Sequence, residues 1–176
     1  MKSSDSELVV LVDEKDNAIG ELDKLEAHRR GVLHRAVSVF LRDREGNVLL
    51  QRRALGKYHS GGLWANTCCG HPRPDEGIVK AAARRLWDEM GVRCELKPLF
   101  TTLYRAPVSN ELIEHEFVHV FGGNFDGKPN PDPYEVEEWR WLSIGTMGAD
   151  TIANPQDYAI WFRIYVRQFL TEIDKL

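Results

Sequence analysis

One stretch of the chain repeats its apolar residues at helical spacing while most of what surrounds it alternates with period two, and that contrast restricts the fold more than any other feature. Within residues 75–90, Val79, Ala82, Ala83, Leu86 and Met90 fall on one stripe; Asp75 stands where a capping carboxylate belongs and Gly91 where a left-handed C-cap does. Around it lie strand-like runs. "ELVVLVDEKDNAIGEL" reads as two strands about a polar turn at 13–17, and "RAVSVFLRDREGNVLLQRRA" as two more about Glu45-Gly46-Asn47. "ELKPLFTTLYRA", "ELIEHEFVHVFGG" and "EVEEWRWLS" add three. A second helix is expected in "PQDYAIWFRIYVRQFL", where Tyr158, Trp161, Phe162, Tyr165 and Phe169 stand three and four apart, and a helical turn over 23–30. Amphipathic helices interspersed with strands cover a sheet, which predicts an α/β or α+β sandwich.

The 176 residues suit one domain, 1–176, and neither a Pro/Gly/Ser linker, a low-complexity block nor an internal repeat divides them. With a formal charge of −4 and a pI near 5.9, nucleic acid and membrane are not the expected partners; a small molecule is. The start at 1–6 is polar, and the "LVVLV" after it is too short and too closely flanked by acids for a signal or a span. Three cysteines, two of them adjacent, make a poor disulfide framework. Cys68, Cys69 and Cys94 are therefore expected as reduced thiols in a cytoplasmic protein, a monomer or weak homodimer.

Chemistry concentrates in "WANTCCGHPRPDE". On a strand, successive side chains point to opposite faces, so Cys69 and His71 share a side that Cys68 does not. A lone Cys-x-His is equally what packed thiols beside a satisfied histidine look like. "IEHEF" places Glu114 and Glu116 on one strand face, and "EAHRRGVLHR" supplies His28 and His34. Three imidazoles and two carboxylates suit a divalent metal such as Mn²⁺, Zn²⁺ or Mg²⁺. His59, His115 and His119 are equal to these by type but lack a matching neighbour, and stand as controls. Arg85 and Glu89, four apart on one flank of the 75–90 helix, are placed for an ion pair. Arg53 and Lys57 read as surface charge or as a diphosphate grip, and Trp161 as core or as an indole face for a cation.

Residues 70–92, G-x5-E-x7-R-R-L-W-D-E-M-G-V, resemble the Nudix box, G-x5-E-x7-R-E-U-x-E-E-x-G-U with U apolar, whose carboxylates hold Mg²⁺ on a diphosphate. Arg85 stands in place of the first Glu and Asp88 in place of the next, leaving Glu89 as the surviving match. With "LHRAVSVFL", "RRALGKYHSGGLWANTCCGHP", "EHEF" and "IWF", the chain resembles the type 1 isopentenyl-diphosphate Δ-isomerases of the Nudix superfamily. The resemblance implies a Nudix-like α/β/α sandwich with a mixed central sheet and interconversion of isopentenyl and dimethylallyl diphosphate, without flavin. It implies catalytic roles for Cys69, Glu116, Tyr104 and Trp161, and diphosphate contacts from Lys24, Arg53, Lys57 and Arg85. His28, His34, His71, Glu114 and Glu116 would hold one metal, Mn²⁺, Zn²⁺ or Mg²⁺, and Glu89 a Mg²⁺ that arrives with the substrate. Three departures from the family pattern are visible: a His28-to-His34 gap shorter by one residue, Gly61-Gly62 where the family has Pro-Gly, and Ile160 where it has Pro. A Nudix diphosphohydrolase and a non-catalytic metal-binding module are the rival readings.

Overall fold

The strand at the centre of the protein, β3 (His34–Arg42), is buried on both faces, which is why its sequence reads as a near-continuous apolar run. The structure is a computed structural model that describes residues 7–176; the polar start at 1–6 lies outside the described residues. Chain order is β1 (Leu8–Val12), β2 (Ala18–Asp23), α1 (Lys24–Arg30), β3, β4 (Asn47–Arg53), β5 (Trp64–Ala65), β6 (Cys68–Gly70), α2 (Ile78–Met90), β7 (Lys97–Pro107), β8 (Ile113–Asn124), β9 (Val136–Ser143), α3 (Ile144–Ala153) and α4 (Ile160–Asp174), with a 3₁₀ turn at Pro155–Asp157. β8 runs parallel to β3 in unbroken register from His34↔Glu116 to Arg42↔Asn124, while β1, β6 and β4 meet β3 antiparallel. β7 borders β8 and β9 borders β4, so the sheet is mixed.

The two faces of the sheet bury different partners. Ala36 and Phe40 of β3 with Val118 and Val120 of β8 pack against Phe162, Tyr165 and Val166 of α4. Val37, Val39 and Leu41 pack against Ala81, Ala82, Leu86 and Met90 of α2. An α/β/α sandwich results. The two tight hairpins use the same device: the Asp13 carboxylate accepts from the backbone of Lys15 and Asn17, and the Asp43 carboxylate from that of Glu45 and Asn47. Each turns a D-x-x-x-N segment into an Asx-type bend.

Several helix expectations need correction. α2 begins at Ile78 behind Gly77, and Asp75, expected as its cap, lies upstream in a turn at φ 60°. Val79 and Ala83 face solvent, because the buried face is rotated to take in Ile78, Ala81 and, with them, the polar Glu89. Tyr158 precedes α4, held where Ala159 N donates to the Trp64 carbonyl at 2.9 Å. α3 was not expected at all; two glycines and two threonines give it poor helix propensity, and it exists because Ser143 caps it and Met147 and Thr151 bury in the layer beside α4.

Candidate active site

Short-range backbone contacts aim two imidazoles at one point. α1 spans only seven residues, yet both ends are fixed: the Asp23 carboxylate accepts from Glu26 N at 3.0 Å, and Gly31 closes the helix at φ 62°. His28 is thereby held on the buried side, its Nδ1 2.7 Å from the Lys24 carbonyl; His34, at the start of β3, places its Nδ1 2.8 Å from the Val32 carbonyl. A carbonyl only accepts, so in both rings Nδ1 carries a proton and Nε2 is the nitrogen turned toward the cluster. His71 follows β6 with Nε2 3.0 Å from Glu116 Oε1, and the same oxygen lies 3.6 Å from His34 Nε2 and 3.9 Å from His28 Nε2. Ligand atoms of His28, His34, His71 and Glu116 all fall within 4.8 Å of one another. The residues fit a divalent cation: His34 Nε2 is buried without a hydrogen-bond partner among the described residues, and backbone-anchored imidazoles beside a carboxylate are how such ions are held.

Glu114, on the same face of β8, stands slightly apart. The Tyr104 hydroxyl, which β7 brings opposite Glu116, lies 2.9 Å from Oε2 of both carboxylates. Glu114 groups with His28 and His59 rather than with the other three residues. His59, a control by sequence for want of a matching neighbour, is not apart from the site: the loop after β4 folds it into the interior with Nε2 3.4 Å from Glu114 Oε1. The other two controls lie elsewhere, His115 against the Gly31 carbonyl and His119 against Asp16 at 2.8 Å.

Cys69 reaches the same face from the other side of β3. β6 pairs it with Ser38, whereas Glu116 pairs with His34 across the opposite edge. Its Sγ lies 3.4 Å from Ser38 Oγ and donates to Asn66 Oδ1 at 3.3 Å; Trp161 Nε1 donates to that same oxygen at 3.2 Å. The Asn66 amide is pinned by the carbonyls of Val39 and Cys68, so one side chain fixes thiol and indole together. Cys68 points into the layer under α2.

Cations ring the mouth, and three of the four face a carboxylate. Lys24 pairs with Glu7, Lys57 with Glu135, and Arg85 with Glu89, while Arg85 also lies 3.6 Å from Glu135. The Arg53 guanidinium sits 5.1 Å over the Trp161 ring. Glu89 is buried and accepts from Gln51 Nε2 at 2.6 Å. The four cations, Cys69, His71, Tyr104, both glutamates of β8, Glu89 and Trp161 line one pocket, about 600 Å³ counting its open mouth.

Residues 32–162 match the NUDIX domain. The chain is 53% identical over 153 residues to isopentenyl-diphosphate Δ-isomerase 2 of Aromatoleum aromaticum, covering 87% of this chain and 81% of that one. It is 50% identical over 162 residues to isopentenyl-diphosphate Δ-isomerase of Burkholderia multivorans, covering 92% of each. This chain belongs to the isopentenyl-diphosphate Δ-isomerase family. Solved structures share the fold at lower identity: a Deinococcus radiodurans protein at TM-score 0.77 and 23% identity, over 92% of this chain and 98% of its own, and the MutT protein of Methanosarcina mazei at 0.66 and 21%, over 80% and 94%.

In this Δ-isomerase family member, burial sets the electrostatics. It pushes the Cys69 thiol up to about 12, lowers His28 to about 4 and His59 to about 2, and raises Tyr104 well above the usual phenol range. Burial alone would raise Glu116, but the imidazoles of His34 and His71 more than offset it and hold the carboxyl well below the usual range. Glu114, buried beside that charge, is pushed well above. Sequence reasoning missed His59, Ser38, Asn66, Glu7 and Glu135. Asn66 precedes Cys69 by three residues in "WANTCC", a spacing that offered a signal; Glu7 and Glu135 offered none, since only the folded chain sets them against Lys24 and Lys57.

Proposed function

We propose that this protein interconverts isopentenyl and dimethylallyl diphosphate, moving a carbon–carbon double bond by protonating one end of the allyl unit and deprotonating the other. The observation that carries the reading is the placement of two proton-handling groups, Cys69 and Glu116, on one sheet face from strands on opposite sides of β3, with cations at the mouth.

Held as a neutral thiol, Cys69 supplies a proton to the terminal alkene carbon. A tertiary carbocation forms. Trp161 presents an indole to the hydrocarbon, a contact worth about 2 kcal/mol or more to a cation once water is excluded. A C–H bond next to a carbocation is strongly acidic, so Glu116, although held as a weak base by His34 and His71, removes the allylic proton, while the Tyr104 hydroxyl orients its second oxygen. Exchange with solvent returns the lost proton to sulfur and removes the gained one from the carboxylate. Lys24, Arg53, Lys57 and Arg85 take the diphosphate, Arg85 offering a fork of donors and the lysines point charges. His28, His34, His71, Glu114 and Glu116 would hold a divalent ion, Mn²⁺, Zn²⁺ or Mg²⁺, and Glu89 a Mg²⁺ with the diphosphate; the ions supply fixed positive charge that orders the carboxylates and neutralises the phosphates. Arg85, where a hydrolase of this superfamily carries Glu, supports isomerisation over hydrolysis.

The test is incubation with isopentenyl diphosphate and Mg²⁺ in D₂O, following the product by NMR and phosphate release together. Deuterium entering dimethylallyl diphosphate without phosphate release is the expected result. Phosphate or monophosphate without isomer would replace this reading with a diphosphohydrolase.

A further inference from the structure

His59 is the one buried imidazole of the pocket that neither the metal-holding set nor the proton-transfer pair uses. It sits in the loop between β4 and β5 and touches three parts of the site at once. Nε2 faces Glu114 Oε1 at 3.4 Å, Nδ1 lies 3.1 Å from Ser60 Oγ, and the ring meets Trp161 edge-on with centroids 5.8 Å apart. It also packs at 5.6 Å from the His28 ring.

We propose that His59 is a positioning residue for the metal site: it donates Nε2–H to Glu114 and so turns that carboxylate toward the cation-binding cluster. The inference rests on the metal-site reading above and extends it to a residue outside the ligand set. The donor pattern supports it. Glu114 has two oxygens; Tyr104 supplies one hydroxyl, shared with Glu116, to Oε2, and His59 is the group facing Oε1. The Ser60 hydroxyl can donate to Nδ1, which leaves the Nε2 proton for the carboxylate. In the neutral ring one nitrogen carries the proton, and the Ser60 contact decides which. Ser60 is itself fixed, its backbone N donating to Ser109 Oγ at 2.8 Å. A serine, an imidazole and a carboxylate thus form a relay of orientation from the loop to β8. Groups that hydrogen-bond a metal-binding side chain from behind commonly alter affinity by about 10–100-fold when removed.

Two substitutions separate donation from packing. His59→Phe keeps a ring against Trp161 and loses the N–H; His59→Gln keeps an N–H donor and loses the ring. With Mn²⁺ affinity measured by competition on folded protein, His59→Phe is expected to bind about 10–100-fold more weakly and His59→Gln within a few-fold of the parent. Equal losses in both, or a loss confined to His59→Gln, would reduce His59 to packing and overturn the proposal. His71→Ala is the reference: if it too leaves Mn²⁺ affinity unchanged, the metal-site reading itself fails, whereas a loss there with none in His59→Phe rejects only the role of His59. Because His59→Phe could misfold, ¹⁵N-histidine NMR of the unaltered Zn²⁺-loaded protein gives a second decision. An Nε2–H tautomer with a slowly exchanging proton is expected, and an Nδ1–H tautomer would overturn the proposal.

Discussion

Cys68 and Cys69 are chemically identical neighbours, and the strand separates them. Cys68 is packed among Val37, Val39, Leu86 and Met90; Cys69 lines the pocket between Ser38 and Asn66. Burial raises both thiols, so neither is a ready nucleophile, and the difference between them lies in what each faces. Cys68→Ala is expected to remain an active isomerase and lose about 1–2 kcal/mol of stability in denaturant titration. Cys69→Ala is expected to fold, bind metal and fail to turn over. An active Cys69→Ala beside a folded but dead Cys68→Ala would reverse the face assignment and the proton-transfer scheme with it.

At the scale of the element, α2 is anchored at its base by an ion pair outside the pocket. Arg84 donates to both oxygens of Glu76 at 2.7 and 2.8 Å and to the His71 carbonyl at 3.1 Å, so the helix grips the loop that carries His71. Hydrogen bonding from Arg84 is the main reason the Glu76 carboxyl is lowered to about 2. A carboxyl lowered on folding stabilises the protein above its unfolded pKa, about 4.3, and loses that contribution as pH falls through about 2. Glu76→Gln should therefore cost about 1 kcal/mol at pH 7, the upper range for a partly exposed pair, and the gap to the parent should close as pH falls from about 4.3 toward 2. Thermal melts of both proteins across that range check it; a gap that stays constant with pH would show that the carboxylate charge contributes nothing.

The whole molecule meets at the imidazole cluster, since His28 comes from α1, His34 from β3, His71 from the segment after β6 and Glu116 from β8. A cation bound there ties four separate segments that only the folded chain assembles, so it must stabilise the fold by mass action. At a free metal concentration 100 times the dissociation constant the gain is about 2.7 kcal/mol. Stripping the protein with a chelator should lower its Tm, and adding back Mn²⁺ or Zn²⁺ should restore it. His119→Ala, whose imidazole meets Asp16 away from the cluster, is expected to show the same metal-dependent shift, while a protein whose Tm ignores both chelator and metal would remove the site.

By itself the sequence determined whatever is local or periodic. Strand alternation separated Cys68 from Cys69 and put Glu114 and Glu116 on one face; the D-x-x-x-N turns marked both hairpins; the order of motifs carried the family resemblance and with it the pocket residues from Lys24 to Trp161. Helix limits were legible only where caps were plain, as at Gly91, and failed at Asp75, where a carboxylate in the right place sits in a left-handed turn instead. Tertiary structure decided the rest, because those facts depend on which distant segments share a surface. α3 forms through burial beside α4 against its own weak propensity. The polar Glu89 turns inward because Arg85 and Gln51 meet it there. His59 becomes part of the site because a loop sets it 3.4 Å from a glutamate 55 residues away in the chain. Periodicity reports the side of an element a residue occupies; only packing against a strand remote in sequence supplies what that side faces.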